Sequence, residues 1–335
     1  MKDATIAPMV EMRGLTKRFV KSLDAAEKIA QRVGADVREE IVHAVDGVDM
    51  VIEAGEVVGL VGESGCGKST LGRMVAGILP PTEGALSFKG NDITAMDAKA
   101  RKAAMLAIQM IFQDPFASLN PRMRVEGIVG EAPLAHGLVS RAELSGYLDD
   151  ILTKVGLDAA FKRRYPHQFS GGQRQRIGIA RALAVKPEFL VCDEAIAALD
   201  VSIQAQVINL FMDLRSEFDL TYLFISHDLS VVEHISDRVV IMYLGRIVEM
   251  APTDELFAAP NHPYAKALLA EVPRLDQRKR VFAPIKGEVP SPLDPPTGCH
   301  FHPRCPHAME RCKAERPALR EIAPGRFSAC HLNDA

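Results

Sequence analysis

The sequence predicts an α/β fold with a largely mixed or parallel sheet, followed by a small C-terminal domain. Short β-rich runs alternate with longer helix-like stretches from about residue 10 to residue 249, which is the pattern of an α/β domain. Runs at 57–61, 189–192 and 222–225 are almost continuously apolar, as expected of strands covered on both faces. After residue 250 the composition shifts, because more than half of the 21 prolines and half of the ten histidines are found there. This shift predicts a domain boundary.

Length and composition limit the class of protein. With 335 residues and 47% hydrophobic content, the chain is long enough for about two domains with buried cores. The formal charge of -3 gives no overall basic field, so a general nucleic-acid binder is disfavoured. The apolar runs stay well short of the roughly 18 to 20 residues that cross a bilayer, and no signal-peptide core is visible at the start. We therefore expect a cytoplasmic chain with no membrane span of its own.

The first predicted domain, residues 1–250, contains one interruption near its start. Residues 20–42 carry apolar side chains at helical spacing between two segments that otherwise read as one β region. They predict an inserted amphipathic helix on the domain surface, with a membrane or partner contact as the alternative. Near the end of this domain, 239–243 and 247–250 flank Gly245 and predict a hairpin that closes the sheet. Residues 251–335 form the predicted C-terminal domain, rich in proline and cysteine.

Residues 62–69 have the sequence of a phosphate-binding loop. They fit the pattern G-x-x-x-x-G-K-[ST], follow the strand at 57–61 and precede a helix-like stretch at 70–78. The glycines let backbone N–H groups and a helix N-terminus face a triphosphate, while Lys68 reaches the β and γ phosphates and Ser69 offers a hydroxyl to Mg²⁺. Cys66 is interpreted as a small residue that fills a tight turn, with a redox-sensitive thiol as the alternative. The expected nucleotide contacts are Gly62, Glu63, Ser64, Gly65, Cys66, Gly67, Lys68, Ser69 and Thr70.

A pair of acids supplies the metal ligand and the water activator that a nucleotide hydrolase needs. Asp193 and Glu194 follow the apolar run at 189–192, beside the phosphate loop if the two strands are neighbours. Asp193 then holds Mg²⁺, often through water, and Glu194 orients and deprotonates the attacking water. Two acids after an apolar strand can also cap a helix N-terminus, which is the alternative interpretation of this pair.

A second anion-binding sequence lies in the middle of the chain. Ser170, Gly171, Gly172 and Gln173 precede a helix-like stretch at 174–183 that contains three arginines. The serine hydroxyl, the glycine amides and the helix N-terminus can together bind a phosphate. One phosphate loop does not require such a site. Two phosphate-binding sites that belong to one nucleotide suggest a dimer.

In this order, the motifs resemble those of the nucleotide-binding subunit of ABC transporters, over nearly the whole chain. The resemblance implies a P-loop NTPase fold of the ABC type, with a mixed-sheet core and a helical subdomain at about residues 114–178. It implies ATP and Mg²⁺ as ligands. It also implies two subunits that close head to tail, so that one phosphate loop and the partner's signature motif enclose each ATP.

The resemblance also assigns roles to single residues. Gln113 matches the Q-loop glutamine that senses the metal, His227 matches the switch histidine at the γ phosphate, and Phe19 matches the aromatic that stacks on adenine. Taken singly, these three fit a loop amide, a strand-end histidine and a core aromatic. The remaining matches are the signature Ser170 to Gln173, the Walker B pair Asp193 and Glu194, and the D-loop that ends at Asp200. Two departures, Phe169 in place of Leu and Ala197 in place of Ser, remove no polar catalytic group.

Three further segments, at 113–122, 200–206 and 261–264, resemble the dipeptide and oligopeptide importers. The sequence of residues 117–122 is closer to that of the second of the two ATPase subunits that such systems use. The resemblance implies a heterodimer with another ATPase subunit, two integral membrane permease subunits and, indirectly, a substrate-binding protein, with no nucleic acid. It implies a peripheral location on the inner face of the cell membrane. Nickel, opines and oligosaccharides are alternative cargoes within this branch.

Four of the six cysteines crowd into the C-terminal tail, which matches the cysteine-bearing tail of this branch. Four thiolates can hold a tetrahedral Zn²⁺ or an iron-sulfur cluster, and the spacing lacks the C-x2-C pair typical of structural zinc. The tail therefore favours a [4Fe-4S] cluster, with Zn²⁺ or reduced structural cysteines as alternatives. The candidate ligands are Cys299, Cys305, Cys312 and Cys330.

Two functions outside transport fit parts of the pattern. An ABC ATPase that remodels ribosomes or DNA predicts tandem domains, a long coiled coil or a basic surface, and the sequence shows none of these. A regulatory subunit with an inactive site requires the loss of Glu194 or His227, and both are present. The sequence therefore favours an ATP-hydrolysing subunit that powers peptide import.

Overall fold

The computed structural model describes residues 7–21, 33, 39–270, 285 and 287–334, without the side chains of 115 and 116. The strands are β1 (Val10–Lys21), β2 (Glu40–Ile52), β3 (Val57–Val61), β4 (Glu83–Phe88), β5 (Asn91–Asp92), β6 (Ile108–Ile111), β7 (Phe189–Asp193), β8 (Thr221–Ile225), β9 (Arg238–Tyr243), β10 (Arg246–Pro252), β11 (Arg320–Ala323) and β12 (Arg326–Ser328). The helices are α1 (Lys68–Val75), α2 (Ala98–Ala107), α3 (Pro115–Ser118), α4 (Val125–Ala135), α5 (Leu144–Lys154), α6 (Gly171–Leu183), α7 (Val201–Phe218), α8 (Leu229–Ile235), α9 (Thr253–Ala258), α10 (Pro263–Ala270) and α11 (Glu310–Ala314).

Two sheets form the core of the molecule, and the larger one is mixed. Its strand order is β11-β12-β10-β9-β3-β8-β7-β6. The pairs from β9 to β6 are parallel, whereas β10 and the strands beyond it pair antiparallel. A smaller antiparallel sheet has the order β2-β1-β4-β5. The predicted α/β fold with a mixed sheet is confirmed.

The central strands are buried on both faces. On one face, Val58 and Leu60 of β3 join a core shared with the antiparallel sheet. On the other face, Val57 and Val61 join a core shared with helices α4 to α8. Because side chains alternate along a strand, two such cores require the continuous apolar runs seen in β3, β7 and β8. All three strands predicted from those runs are present.

The hairpin of β9 and β10 does not close the sheet, which corrects the sequence-based expectation. Its outer strand, β10, pairs with β12 from the C-terminal tail, with Glu249 opposite Ser328 and Met250 opposite Phe327. An edge strand carries unpaired backbone groups, and β12 satisfies those of β10. Phe301 of the tail also belongs to the same core as β3 and the helices. The boundary after residue 250 stays a prediction.

The interruption near the start of the chain lies at the end of a hairpin. Strands β1 and β2 pair antiparallel, with Val20 opposite Ile41 and Lys21 opposite Glu40. The two flanking segments therefore form one continuous β ribbon, as the sequence suggested. Apart from its ends, the predicted amphipathic helix at 20–42 lies outside the described residues, except for residue 33.

The strand that precedes the phosphate loop and the strand that ends in two acids are not direct neighbours. Strand β8 lies between β3 and β7 and pairs parallel with both of them. The carboxyl ends of all three parallel strands nevertheless lie at one edge of the sheet. The loops after β3, β7 and β8 meet there, and they carry the residues described next.

Candidate nucleotide-binding site

The phosphate loop connects β3 to α1 and has the tight backbone that its glycines allow. Gly62 has φ 155° and Gly67 has φ 107°, values that L residues rarely adopt. A Cβ atom on Gly62 would clash with the carbonyl oxygen of Met242, and one on Gly67 would clash with that of Ala44. Both positions therefore require glycine for backbone conformation and for space.

Lys68, the first residue of α1, turns its ammonium group back over the loop. Its Nζ donates hydrogen bonds to the carbonyl oxygens of Gly62 at 2.6 Å and Glu63 at 3.0 Å, and the residue is only 5% exposed. Cys66 is buried beneath it, and burial raises the pKa of its thiol. A buried, protonated thiol is a poor nucleophile, which supports the interpretation of Cys66 as a turn-filling residue.

Ser69 and Asp193 form a pair of oxygen donors at the helix end. The Ser69 hydroxyl donates to Asp193 Oδ1 at 2.7 Å. Asp193 is the last residue of β7 and is almost fully buried. Burial raises the pKa of its carboxyl group, while the Ser69 hydrogen bond and the Arg73 charge act in the opposite direction. A hydroxyl and a carboxylate are ligands that suit Mg²⁺ together with phosphate oxygens and water, so the residues fit this ion.

Glu194 lies between the other two residues assigned to hydrolysis. Gln113 Nε2 donates to Glu194 Oε2 at 2.5 Å, and His227 Nδ1 lies 3.5 Å from Glu194 Oε1. Glu194 has φ 48°, and its N–H donates to Ile225 O of β8 at 2.9 Å. This turn holds Glu194 across from β8. Helix α7 begins only at Val201, so the helix-cap interpretation of the two acids is wrong.

A cavity of about 370 Å³ opens beside the loop. Phe19 lines it and is 41% exposed, which excludes the interpretation of Phe19 as a core aromatic. The wall of the cavity therefore combines a flat aromatic surface with phosphate-binding and acidic groups. Its lining residues are Phe19, Val42, Ala44, Ser64, Gly65, Gly67, Lys68, Ser69, Thr70, Gln113, Glu194 and Pro292.

The signature residues do not line this cavity. Ser170 is the N-cap of α6: its hydroxyl accepts from Gln173 N–H at 3.3 Å, and Gln173 Oε1 accepts from Ser170 N–H at 3.1 Å. Gly172 lies against Ile203 of α7, so the signature packs beside the D-loop. Asp200 is exposed at the start of α7 and makes no side-chain cap there. Gly171 and the other signature residues thus form a second, separate surface.

The ABC transporter family model matches residues 45–197, and the model of the oligopeptide/dipeptide transporter C-terminal region matches residues 248–312. The oligopeptide transport ATP-binding protein AppF of Bacillus subtilis is 50% identical over 99% of this chain and 99% of its own. The chain belongs to the ABC transporter family. It is an ABC-type ATPase, and its resemblance to that family, inferred from the sequence, is confirmed.

A second relative and one solved structure extend the comparison. The putative oligopeptide transport ATP-binding protein YkfD of Bacillus subtilis is 53% identical over 88% of this chain and 91% of its own. The ATP-binding cassette MJ0796, solved as a dimer in a post-hydrolysis state with ADP and Pi, is 27% identical with a TM-score of 0.62. It covers 73% of this chain and 99% of its own. The fold of this ABC ATPase is therefore confirmed as well.

The four tail cysteines of this ABC ATPase share one neighbourhood but do not form a ligand set. Burial, with smaller contributions from the neighbouring thiols of Cys312, Cys330 and Cys305, raises the pKa of the Cys299 thiol to about 11. All four are free thiols. Across the described part of the chain, no three His, Cys, Asp or Glu side chains are arranged to hold a metal ion. The predicted iron-sulfur or zinc geometry is therefore not formed in this conformation.

Sequence reasoning missed three tail residues that reach the loop or the cavity. Arg304 binds the Glu63 carboxylate, and the Tyr264 hydroxyl accepts a hydrogen bond from Glu63 N–H at 2.9 Å. Pro292 lines the cavity, and its carbonyl oxygen accepts a hydrogen bond from His43 N–H at 2.9 Å. Tyr264 belongs to the segment at 261–264 that resembles peptide importers, and this resemblance is the signal that could have drawn attention to it. Arg304 and Pro292 stand in sequence as ordinary residues of a proline-rich tail.

In the part of the chain that the structure describes, the helices include none that is both long and apolar enough to span a membrane.

Proposed function

We propose that this ABC ATPase powers the import of peptides through separate permease subunits. The observation that carries the proposal is the match of the whole chain, C-terminal region included, to AppF, which is named as an oligopeptide transport protein. The intact triad of Gln113, Glu194 and His227 supports an active enzyme. Nickel, opine and oligosaccharide cargoes, and action on ribosomes or DNA, are the competing outcomes of the test below.

The site residues act on ATP by position and charge. The loop amides and Lys68 bind the triphosphate, because they bring positive and N–H donor groups to its oxygens. Ser69 and Asp193 would hold Mg²⁺, and the ion would neutralise charge on the phosphates. Phe19, an exposed aromatic in the cavity wall, stacks on adenine. Glu63, Ser64, Gly65, Cys66 and Thr70 complete the wall of the loop.

Glu194 acts as the general base in hydrolysis. Its Oε1 and Oε2 atoms lie between His227 and Gln113, so that one water beside the carboxylate can also contact these two side chains. Glu194 takes the proton as the water attacks the γ phosphorus, and the bond to the β-γ bridging oxygen breaks. His227 contacts the γ phosphate, and Gln113 senses the metal and conveys the state of the site to the permease.

The complete site is composite, which supports a dimer of ATPase subunits. Ser170 to Gln173 offer a helix N-terminus on a surface apart from this chain's own cavity. A partner's phosphate loop can face that surface, with Asp200 beside it. The sequence of residues 117–122 favours a second, homologous ATPase as that partner rather than a second copy of this chain. Two permeases and, indirectly, a substrate-binding protein complete the assembly, on the inner face of the cell membrane.

Two parts of the proposal concern the tail. Residues 1–250 form the ATPase domain, with a helical subdomain at about 114–178, and residues 251–335 form the C-terminal domain. The four cysteines hold a [4Fe-4S] cluster, or Zn²⁺, after a local rearrangement. Mutual proximity of the thiols supports this, and their present geometry does not. Anaerobic purification followed by iron, sulfide and zinc analysis and electron paramagnetic resonance tests it, and a metal-free protein contradicts it.

The transport function is tested by recovery and reconstitution. The tagged subunit is purified from gently solubilised native membranes, the accompanying chains are identified by mass spectrometry, and the assembly is placed in liposomes. We expect two permeases, a second ATPase and ATP-dependent peptide uptake. Uptake of nickel, an opine or an oligosaccharide in place of peptide would change the cargo. Recovery of ribosomal or DNA-repair proteins without any integral membrane chain would overturn the proposal and leave the ATPase activity intact.

A further inference from the structure

Two side chains of the C-terminal tail, Arg304 and Tyr264, bind Glu63 of the phosphate loop. The Arg304 guanidinium binds Glu63 with two parallel hydrogen bonds, Nη1 to Oε2 at 2.7 Å and Nη2 to Oε1 at 3.0 Å. Glu63 is the second residue of the loop. The Arg304 side chain is only 5% exposed, and that of Glu63 is 25% exposed. A fork-to-fork pair shielded from water is strong and fixes the orientation of both partners.

A second contact from the tail holds the backbone of the same residue. The Tyr264 hydroxyl, on α10, accepts the Glu63 N–H at 2.9 Å. Tyr264 packs against Tyr243 with ring centroids 4.7 Å apart, and Tyr243 packs edge-on against Phe301 at 5.3 Å. All three rings are fully buried. The contact is therefore anchored in the core, where side-chain rotation is restricted.

These contacts determine whether the phosphate loop carries an unpaired negative charge. The Glu63 carbonyl oxygen accepts from Lys68 Nζ at 3.0 Å, so the residue that Arg304 fixes is in direct contact with the lysine that binds phosphates. A free Glu63 carboxylate in this loop would repel a triphosphate. Arg304 neutralises that charge and turns it away, because the carboxylate is held toward the tail.

We propose that Arg304 is a positioning residue for ATP binding: it neutralises and holds the Glu63 carboxylate, so that the phosphate loop accepts a triphosphate. The tail is thereby part of the nucleotide site, although it contributes no residue to the phosphate contacts themselves. The proposal deepens the proposed function, because it rests on the nucleotide role of residues 62–69.

The test is a double-mutant cycle on ATP affinity, measured by equilibrium binding to the full chain. Arg304→Met leaves Glu63 charged and unpaired, and we expect the Kd for ATP to rise about tenfold, with kcat at saturating ATP changed less than about twofold. Arg304→Met combined with Glu63→Gln removes the repelling charge and should restore most of the affinity. Arg304→Lys, which keeps the charge but not the fork, should lie between wild type and Arg304→Met.

Controls separate this effect from general damage to the tail. Arg311 forms ion pairs with Glu315 and Asp334 in the same tail, so Arg311→Met perturbs the tail without touching the loop and should leave the Kd unchanged. An unchanged Kd in Arg304→Met, or a double variant as weak as Arg304→Met, would overturn the proposal. If Lys68→Ala does not weaken ATP binding, the nucleotide role of the loop itself fails, which is a different result.

Discussion

Two helix N-termini in this chain have the sequence of an anion site, and they differ in what surrounds them. At α1, Lys68 lies over the loop carbonyls and Ser69 bonds Asp193. At α6, Ser170 and Gln173 form a reciprocal capping box, in which each side chain accepts the backbone N–H of the other residue. The first terminus opens on the cavity beside Phe19, and the second is absent from its wall.

In the proposed dimer, this difference divides the catalytic parts between two subunits. The surface at the N-terminus of α1 carries the phosphate loop together with the proposed metal ligands and the proposed base, so we expect it to bind a nucleotide without a partner. The surface at the N-terminus of α6 is rigid before any ligand arrives, since the capping box of Ser170 and Gln173 fixes it. A rigid surface of this kind can complete a partner's site without rearrangement. Substitutions at the N-terminus of α1 and at the N-terminus of α6 should therefore have separable effects.

The largest expected effect is on hydrolysis at the phosphate-loop end. Glu194→Gln removes the base and keeps the side-chain shape, so we expect kcat to fall about 1,000-fold while the Kd for ATP stays nearly unchanged. Phosphate release by the assembled transporter and ATP binding by the subunit measure the two quantities. Glu188→Gln, on the exposed pair with Lys89 at the start of β7, is the matched control. Unchanged turnover in Glu194→Gln would remove Glu194 from its assigned role.

The next effect concerns ATP binding by the isolated subunit. Lys68→Ala removes a charged donor from the loop, and hydrogen bonds of charged groups contribute about 1.5–3 kcal/mol, so the Kd for ATP should rise roughly 10- to 100-fold. Fluorescence titration with a labelled ATP analogue measures it. Lys186→Ala, an exposed lysine that follows the far end of α6, should bind as wild type. Equal affinity of Lys68→Ala and wild type would contradict the site.

Low pH should destabilise the tail around His262 and α10 and should leave the signature helix α6 folded. His262 is almost fully buried, and its Nδ1 accepts from Tyr264 N–H at 3.1 Å. Burial lowers the pKa of His262 to about 3, with a smaller contribution from Lys266. Its folded state stays neutral while the unfolded chain takes up a proton below about pH 6.5, so stability is lost as pH falls from about 6.5 toward 3. The free energy of unfolding should fall by about 2 kcal/mol between pH 7 and pH 5.

A variant at this position separates the histidine from its neighbours. Burial raises the pKa of Glu249, whose carboxylate accepts the N–H groups of Asn261 and His262, and this group adds stability as pH falls through its raised pKa. His262→Asn keeps an acceptor but does not titrate, so it should lose the histidine part of the pH dependence. Urea unfolding at pH 7 and pH 5, with hydrogen exchange at α10 and α6, measures the effect. An identical loss in both proteins would rule out His262 as its source.

The smallest effect is expected at the signature end. Ser170→Ala removes the N-cap of α6 and should lower the free energy of unfolding by about 1 kcal/mol. The Kd of the isolated subunit for ATP should not change, because Ser170 is outside the cavity wall. Thermal unfolding and the same fluorescence titration measure the two, with Ser170→Thr as the control that keeps the cap. Weakened ATP binding in the isolated Ser170→Ala subunit would contradict the division of the site between subunits.

Local patterns in the sequence were sufficient for much of the site. The sequence predicts the phosphate loop, the acids Asp193 and Glu194, and strands β3, β7, β8, β9 and β10, because each depends on residues close together in the chain. The position of β8 between β3 and β7 was not predicted, since strand order depends on long-range pairing that apolar runs do not encode. The contact of Arg304 with Glu63 spans 241 positions, and nothing near either residue indicates the other.

The pairing of the tail with the β9–β10 hairpin is not predicted for the same reason. A change in proline and histidine content predicts a change in local structure, and it says little about packing partners. The tail adds β12 and β11 to the main sheet and contributes Phe301 to the main core. The hairpin therefore has a continuation that its own sequence did not reveal.

The pairing of β10 with β12 has a consequence for any shortened form of this chain. Removal of everything after residue 250 would strip the partner from Glu249 and Met250 and uncover the rings of Tyr243 and its neighbours. A bare strand edge beside an apolar patch is a template for self-association. A truncated chain should therefore aggregate rather than work as an isolated ATPase domain. Chimaeras that exchange tails between related subunits need to exchange the β9–β10 hairpin as well.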